Sequence, residues 1–209
     1  MCTAYEVGDN EFYYVDWLVA DAFEASMFSE NLQIIRPTLK APVVMLDGRL
    51  RIMSWGFRRP VPGGKTKQLW RTIVNSREDK LSGPVWGKAF RERRCLIPAT
   101  AFYEWVTGPD GKAMPLRFTR PEAKGMWIAG IWEEDAERGE CYSMITTEPT
   151  DAIRPVHDRM PAVLAPDQLR PYLEGTLNEF GPSSVPLRWA AAENFLKKAK
   201  EPPAQGELF

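Results

Sequence analysis

RCLIPATAFYEWV, residues 94–106, holds two runs rich in aliphatic and aromatic residues. Such residues suit a pleated, half-buried surface. The segment therefore predicts a strand, a tight bend and a second strand. In the second strand the side chains alternate. Tyr103 and Trp105 face one side, and Phe102 and Glu104 face the other. A carboxylate sharing a face with phenylalanine should lose water, which raises its pKa towards general acid–base use. If that face met solvent instead, Glu104 would be ordinary.

Working outward, GPDG (108–111) reads as a turn and PLRFT (115–119) as the partner strand. MWIAGIW (126–132) and CYSMITT (141–147) are further strand candidates. Upstream, VVMLDGRLRIMSW (43–55) reads as a hairpin around Asp47-Gly48, a dipeptide suited to a type I′ turn. A loop, PVPGGKTK, and the run WRTIVNSRED follow. Gly83-Pro84 opens a short predicted helix, with Val85, Trp86 and Phe90 at helical spacing. PDQLRPYLEG (166–175) and LRWAAAENFLKKAK (187–200) also read as helices. Strands and helices come in mixed order without a βαβ rhythm. The expected class is α+β, one compact domain over residues 1–200 around a mostly antiparallel sheet. Residues 201–209, EPPAQGELF, read as a flexible tail.

The 209 residues are 44% hydrophobic, enough for a substantial core. Cys2, Cys95 and Cys141 are odd in number and lack CxxC spacing. That excludes a disulfide framework and a zinc ribbon. Neither a secretory signal nor an apolar run of membrane-span length is visible. A cytoplasmic, monomeric protein without metal or other cofactor is expected. The net charge of −1 hides an uneven distribution. Gly48–Thr100 carries thirteen Lys or Arg and three acids, a balance of +10, and the rest of the chain balances at −11. Such a segment can focus on a polyanion, provided that charges clustered in sequence also cluster in space.

Four places could carry chemistry. Cys2 stands directly behind Met1 in MCTAY, so removal of Met1 would put an α-amine and a thiol on one residue. The single histidine, His157, lies in VHDRMP, a predicted loop. Asn75 offers a donor and an acceptor, and Arg77 offers a planar fork for a phosphate. Glu104 is the fourth.

Cys2, WGF (55–57), NSR (75–77), RCLIPATAFYEW (94–105), ITT (145–147) and HDRMP (157–161) stand in the order of one family. The chain resembles the SOS response-associated peptidase family, also called abasic-site processing proteins. The resemblance runs from Cys2 to about Pro166. It implies a curved, barrel-like antiparallel sheet flanked by helices. It implies Cys2 as a nucleophile that links to abasic sites in single-stranded DNA, with Asn75, Glu104 and His157 as the other active-site residues. Arg77 and Arg159 match phosphate-contacting arginines. Pro37, Trp55 and Thr146 match positions lining the DNA groove. Peptidase, self-cleaving or weak lyase action is implied as an associated activity, and the nucleoid as the place of work when DNA is bound.

The chemistry gives a reason for a leading cysteine. An α-amine, with an unperturbed pKa of about 7.7–8.0, is neutral more often than lysine at about 10.4. It can attack the ring-opened aldehyde of an abasic site to give an imine, and the thiol can then close a five-membered thiazolidine. Two other readings remain open: an N-terminal-nucleophile cysteine hydrolase or peptidase, and a non-catalytic single-stranded DNA binder. The chain also departs from the family pattern. Thr3 replaces a glycine, Ala4 replaces an arginine, and Glu78-Asp79-Lys80 follows NSR where the family has a glutamate followed by a threonine. At the far end, Gln205-Gly206-Glu207-Leu208-Phe209 resembles the QxxLF peptide with which bacterial proteins bind the replication sliding clamp. The plainer alternative is an ordinary tail.

Overall fold

The two strands of RCLIPATAFYEWV form as the sequence predicts, but they do not pair with each other. The computed structural model describes residues 2–8, 33–61, 69–121 and 125–196. In chain order, β1 (Ala4–Val7), β2 (Gln33–Ile35), β3 (Lys40–Val44), β4 (Leu50–Trp55), β5 (Phe57–Val61), β6 (Leu69–Ile73) and β7 (Asn75–Arg77) precede helix α1 (Gly87–Glu92). Then come β8 (Arg94–Ala99), β9 (Ala101–Thr107), β10 (Ala113–Thr119), β11 (Met126–Asp135), β12 (Gly139–Thr147), β13 (Met160–Pro161) and β14 (Val163–Leu164). Helix α2 (Pro166–Glu174) and β15 (Arg188–Ala191) follow.

Five strands close into a small barrel: β12 pairs β4, β4 pairs β3, β3 pairs β8, β8 pairs β11, and β11 returns to β12. Closure satisfies the ladder without a free edge. Strands β7, β13 and β14 attach to β12 and β11. A second, antiparallel sheet runs β15-β10-β9-β1-β2. Among the described residues, parallel pairing is confined to β12 against β4 and β7. The α+β, mostly antiparallel expectation therefore holds.

Thr100 carries the chain from barrel strand β8 to sheet strand β9. The bend is tied to β1: the Thr100 amide donates to the Glu6 carbonyl at 2.9 Å, and its hydroxyl to Glu6 Oε2 at 3.3 Å. Buried Glu6 also receives Arg117 through Nε and Nη2, the latter at 2.7 Å, and the Tyr103 hydroxyl. The two sheets meet through aromatic side chains. Tyr5 of β1 sets its ring 5.1 Å from Trp55 of β4, edge to face, and Trp55 lies parallel to Tyr142 of β12 at 6.5 Å. The Tyr5 and Tyr142 hydroxyls hydrogen-bond to each other in the interior. Within the second sheet Phe102 stacks on Phe118 at 4.9 Å.

Three local expectations change. The Asp47 turn is not type I′, which would need positive φ at both central residues. Only Gly48 is left-handed there, at φ 77°, closing a turn in which its amide donates to the Met45 carbonyl at 3.0 Å. Helix α1 starts at Gly87, after a turn over residues 83–86. Residues 188–191 of the expected C-terminal helix instead form strand β15 against β10, with Trp189 opposite Phe118. An open strand edge with an aromatic cross-strand partner outweighs a weak helical preference. Residues 197–200 and the tail with its Gln205–Phe209 peptide lie outside the described residues.

Gly56 lets the chain leave the barrel. At φ +116° it sits where side chains are strained, and an added Cβ would stand 2.4 Å from Thr72 Cγ2 and 3.0 Å from Val74 Cγ1. We expect Gly56→Ala to cost about 1–3 kcal/mol, read as a lower urea midpoint at unchanged m-value. An unshifted midpoint would show that the turn is not constrained.

Candidate functional site

Cys2 directly precedes Thr3 and strand β1, and β1 is hydrogen-bonded on both edges. It pairs β2 from Tyr5↔Ile35 and β9 from Ala4↔Tyr103. One further step in that register sets Thr3 across from Glu104. Cys2 is fully buried. Its thiol donates to the Ala4 carbonyl at 3.2 Å. Its own carbonyl accepts from Asn75 Nδ2 at 2.8 Å. Burial, reinforced by the nearby Glu104 carboxyl, pushes the thiol pKa far up, so the sulfur is held protonated.

Asn75 reaches Cys2 because β7 runs parallel to β12, with Asn75 beside Met144 and Arg77 beside Thr146. Asn75 is 7% exposed and Thr146 1%. Asn75 Oδ1 and Thr146 Oγ1 are buried with no hydrogen-bond partner among the described residues. Buried polar atoms are rarely left so, and an unmet acceptor beside Cys2 suits a ligand that brings a donor.

Glu104 is buried, on the same face as Phe102, as the alternation predicts. Desolvation is the main cause that pushes its pKa up to about 7; the charge and hydrogen bond of the chain's terminal amine oppose the rise, and the charge of Asp158 adds to it. A carboxyl group at that value can both give and take a proton near neutrality. His157 closes a helical turn begun at Thr150, its amide donating to the Ile153 carbonyl at 3.0 Å. Burial lowers its pKa, so the ring is neutral at pH 7. Nδ1 accepts the Arg159 amide at 3.0 Å and stands 2.8 Å from Asp158 Oδ1. It cannot accept the first and donate to the second at once. The neutral ring favours the first, leaving Nε2 as the donor.

Arg77 and Arg159 come together on Asp79. Arg77 Nε and Nη2 donate to its two carboxylate oxygens at 3.0 Å each, and Arg159 Nη2 donates to Oδ1 at 3.1 Å. Sequence reading passes over Asp79 as one residue of a departure from the family pattern. The only signal for it is an acid two positions from the arginine, which is common by chance. Glu78 beside it is structural, accepting from the Thr147 hydroxyl and, at 2.6 Å, from the Phe180 amide. Trp55 is wholly buried and donates Nε1 to the Val74 carbonyl at 3.0 Å, so neither ring face is open to a base. Pro37 is exposed in the turn after β2, where the next residue, Thr38, donates its amide to the Trp55 carbonyl at 2.8 Å.

The basic segment is largely compensated in space. Arg51, Arg58 and Arg59 pair with Glu140, Glu137 and Glu133 of the β11–β12 hairpin. Arg94 is buried and donates to the carbonyls of Phe90, Tyr172 and Leu177. Cationic side chains do face a cavity of about 400 Å³ beside Cys2, lined by Thr3, Arg71, Asn75, Arg77, Lys80 and Trp86. Among the described residues no cluster of three His, Cys, Asp or Glu could hold a metal ion. No helix there is long and apolar enough to cross a membrane.

A family model described as SOS response associated peptidase (SRAP) matches residues 1–193. The chain belongs to the SRAP family. Curated relatives include the abasic site processing protein YoaM of Bacillus subtilis, 28% identical over 147 residues. That alignment covers 66% of this chain and 64% of YoaM, so the chain spans less than two thirds of that relative. The abasic site processing protein HMCES of Xenopus tropicalis is 28% identical over 148 residues, 57% of this chain and 43% of that one. Among solved structures, a phage-related protein of Bordetella bronchiseptica superposes with a TM-score of 0.66 at 21% identity, covering 92% of this chain and 95% of its own. A protein from Bacteroides thetaiotaomicron gives 0.62 at 19%, covering 81% and 82%. At those identities the SRAP likeness to solved structures is one of fold.

The buried Glu104 makes stability depend on pH. Its folded pKa of about 7 lies above the ordinary 4.5, so between those values the native state binds the proton more tightly than the unfolded chain. The stability that Glu104 contributes must fall as pH rises through that window. At about 1.4 kcal/mol per pKa unit the loss reaches a few kcal/mol. We expect Glu104→Gln to remove this slope in urea titrations run across the window. A slope unchanged in the variant would show that another group carries it.

Proposed function

We propose that this protein processes abasic sites in DNA by forming a covalent link through Cys2 once Met1 has been removed. The observation that carries the reading is the meeting at Cys2 of the Asn75 amide and a carboxyl group poised near neutrality, Glu104. The printed names of the relatives, abasic site processing proteins, point the same way.

The reaction runs in two steps. The α-amine of Cys2 adds to the aldehyde carbon of the ring-opened sugar, and the resulting carbinolamine loses one water to give an imine. The thiol then adds across the C=N bond. Sulfur bonds to carbon, the thiol proton passes to nitrogen, and a thiazolidine closes. No oxidant or reductant is needed, and the net product is adduct plus one water. The second step is intramolecular, so its entropic cost is largely prepaid. A thiol held protonated by burial fits this order, because the amine attacks first and the sulfur follows.

Glu104 protonates the leaving hydroxyl of the carbinolamine and takes a proton back on reversal. Neutral His157 assists from the loop, and Asn75 fixes the Cys2 carbonyl. Arg77 and Arg159 hold the strand by its phosphates, and single-stranded DNA is the substrate. Peptidase or lyase action would be secondary to this link.

Intact mass spectrometry after incubation with a single-stranded oligonucleotide bearing one abasic site tests the reading. Met1-processed protein should gain the oligonucleotide mass less one water. Cys2→Ala should retain no adduct through denaturation, because its α-amine gives only a hydrolysable imine, and Glu104→Gln should form the adduct about 10²-fold more slowly or worse. Failure of the processed protein to form any adduct would overturn the proposal.

A further inference from the structure

Asp79 sits at an odd place for an acid. Two guanidinium groups point at its carboxylate, Arg77 through two nitrogens at 3.0 Å and Arg159 through one at 3.1 Å. The Asp79 and Arg77 side chains are 44% and 49% exposed, so this pair lies open to solvent, while Arg159 is 15% exposed and approaches Asp79 from the protein side. Exposed ion pairs add little to stability. Nor is Asp79 needed to anchor its own turn, since Glu78 already ties that turn to Thr147 and Phe180. Arg77 lies two residues along β7 from Asn75, which holds Cys2, so their backbones are about 7 Å apart along the strand. The charges that remain around it are Asp158, Lys80 and the paired arginines themselves.

We infer that Asp79 is a built-in occupant of a phosphate seat: its carboxylate holds Arg77 and Arg159 together in the free protein and gives way to one phosphodiester of the DNA strand. The chemistry of the two anions is alike. Each offers a pair of oxygens to forked N–H donors, the geometry arginine recognises. The inference rests on the reading of this protein as DNA-processing. Binding at the seat is then an exchange of anions. The strand must displace a tethered competitor, so intact DNA is held weakly, and retention falls to the covalent step at Cys2.

The exchange predicts an unusual sign. Removing an acid that merely orients two arginines would weaken DNA binding, whereas removing a competitor strengthens it. Binding of an intact single-stranded oligonucleotide, followed by fluorescence anisotropy across a salt series, separates the two. Asp79→Asn should bind about three- to tenfold more tightly at low salt. Its log–log salt slope should steepen by about 0.7, one more counterion-releasing contact on a single strand. Asp79→Glu, which keeps the charge, should stay close to the wild type, and Arg77→Ala in the Asp79→Asn background should erase the gain. Binding by Asp79→Asn that is unchanged, weaker or unmeasurable overturns the inference, as does an equal gain in Asp79→Glu. Adduct formation on abasic DNA is scored in parallel. An adduct without the affinity gain removes the seat and leaves the abasic reading. The gain without any adduct removes the abasic reading and leaves the seat.

Discussion

Strand β1 is hydrogen-bonded on both sides, to β2 and to β9, and the arrangement around Cys2 depends on that double ladder. Chain ends are poorly ordered unless tied down. Here four residues of strand, the Thr100 bend clamped to Glu6 and the Tyr5–Trp55–Tyr142 contact between the sheets fix the backbone that leads to Cys2. The Asn75 amide completes the placement from the barrel side. The nucleophile proposed here therefore gets its position from main-chain pairing. Its own side chain adds weak sulfur hydrogen bonds to the backbone of Ala4 and Tyr103.

Burial sorts the acids of this site into different roles. Glu104 loses water on an apolar face, and its pKa climbs to about 7. Asp79 stays in solvent, where the Arg77 hydrogen bond holds its carboxyl below the ordinary range. Glu6 is buried like Glu104, but Arg117, Tyr103 and Thr100 hydrogen-bond its charged form and carry its pKa down despite desolvation. Hydrogen bonds to the charged form thus carry Glu6 below the ordinary value, whereas desolvation outweighs the opposing contributions at Glu104 and carries it above. The proposed proton-transfer role for Glu104 rests on that desolvation.

The relation between Thr3, Ala4 and the family pattern also becomes clearer. Thr3 is exposed and lines the cavity beside Cys2. Ala4 is buried in the ladder opposite Tyr103, close to the Glu6–Tyr103–Arg117 network. An arginine at this position would add a second cation to a face where Arg117 already satisfies Glu6. The departures are compatible with a β1 that pairs fully along its length, and Thr3 adds a hydroxyl at the cavity wall.

The sequence alone was enough for the elements whose signal is local. Alternation gave β9 and buried Glu104, the hydrophobic runs gave β11 and β12, and Pro166 with its apolar spacing gave α2. The candidate site residues that sit in short motifs, Cys2, Asn75, Arg77 and His157, could be proposed for the same reason. Sheet membership could not, because strands β8 and β9 look alike in sequence and part company only when Thr100 bends onto Glu6. The Arg188–Ala191 stretch reads as helix until β10 offers it an edge. The cationic segment reads as a polyanion surface until the β11–β12 hairpin neutralises much of it with Glu133, Glu137 and Glu140. Asp79 means nothing in sequence. It acquires partners only where β7 and the 157–159 loop bring two arginines onto one carboxylate, a convergence that charge and distance in the folded chain decide.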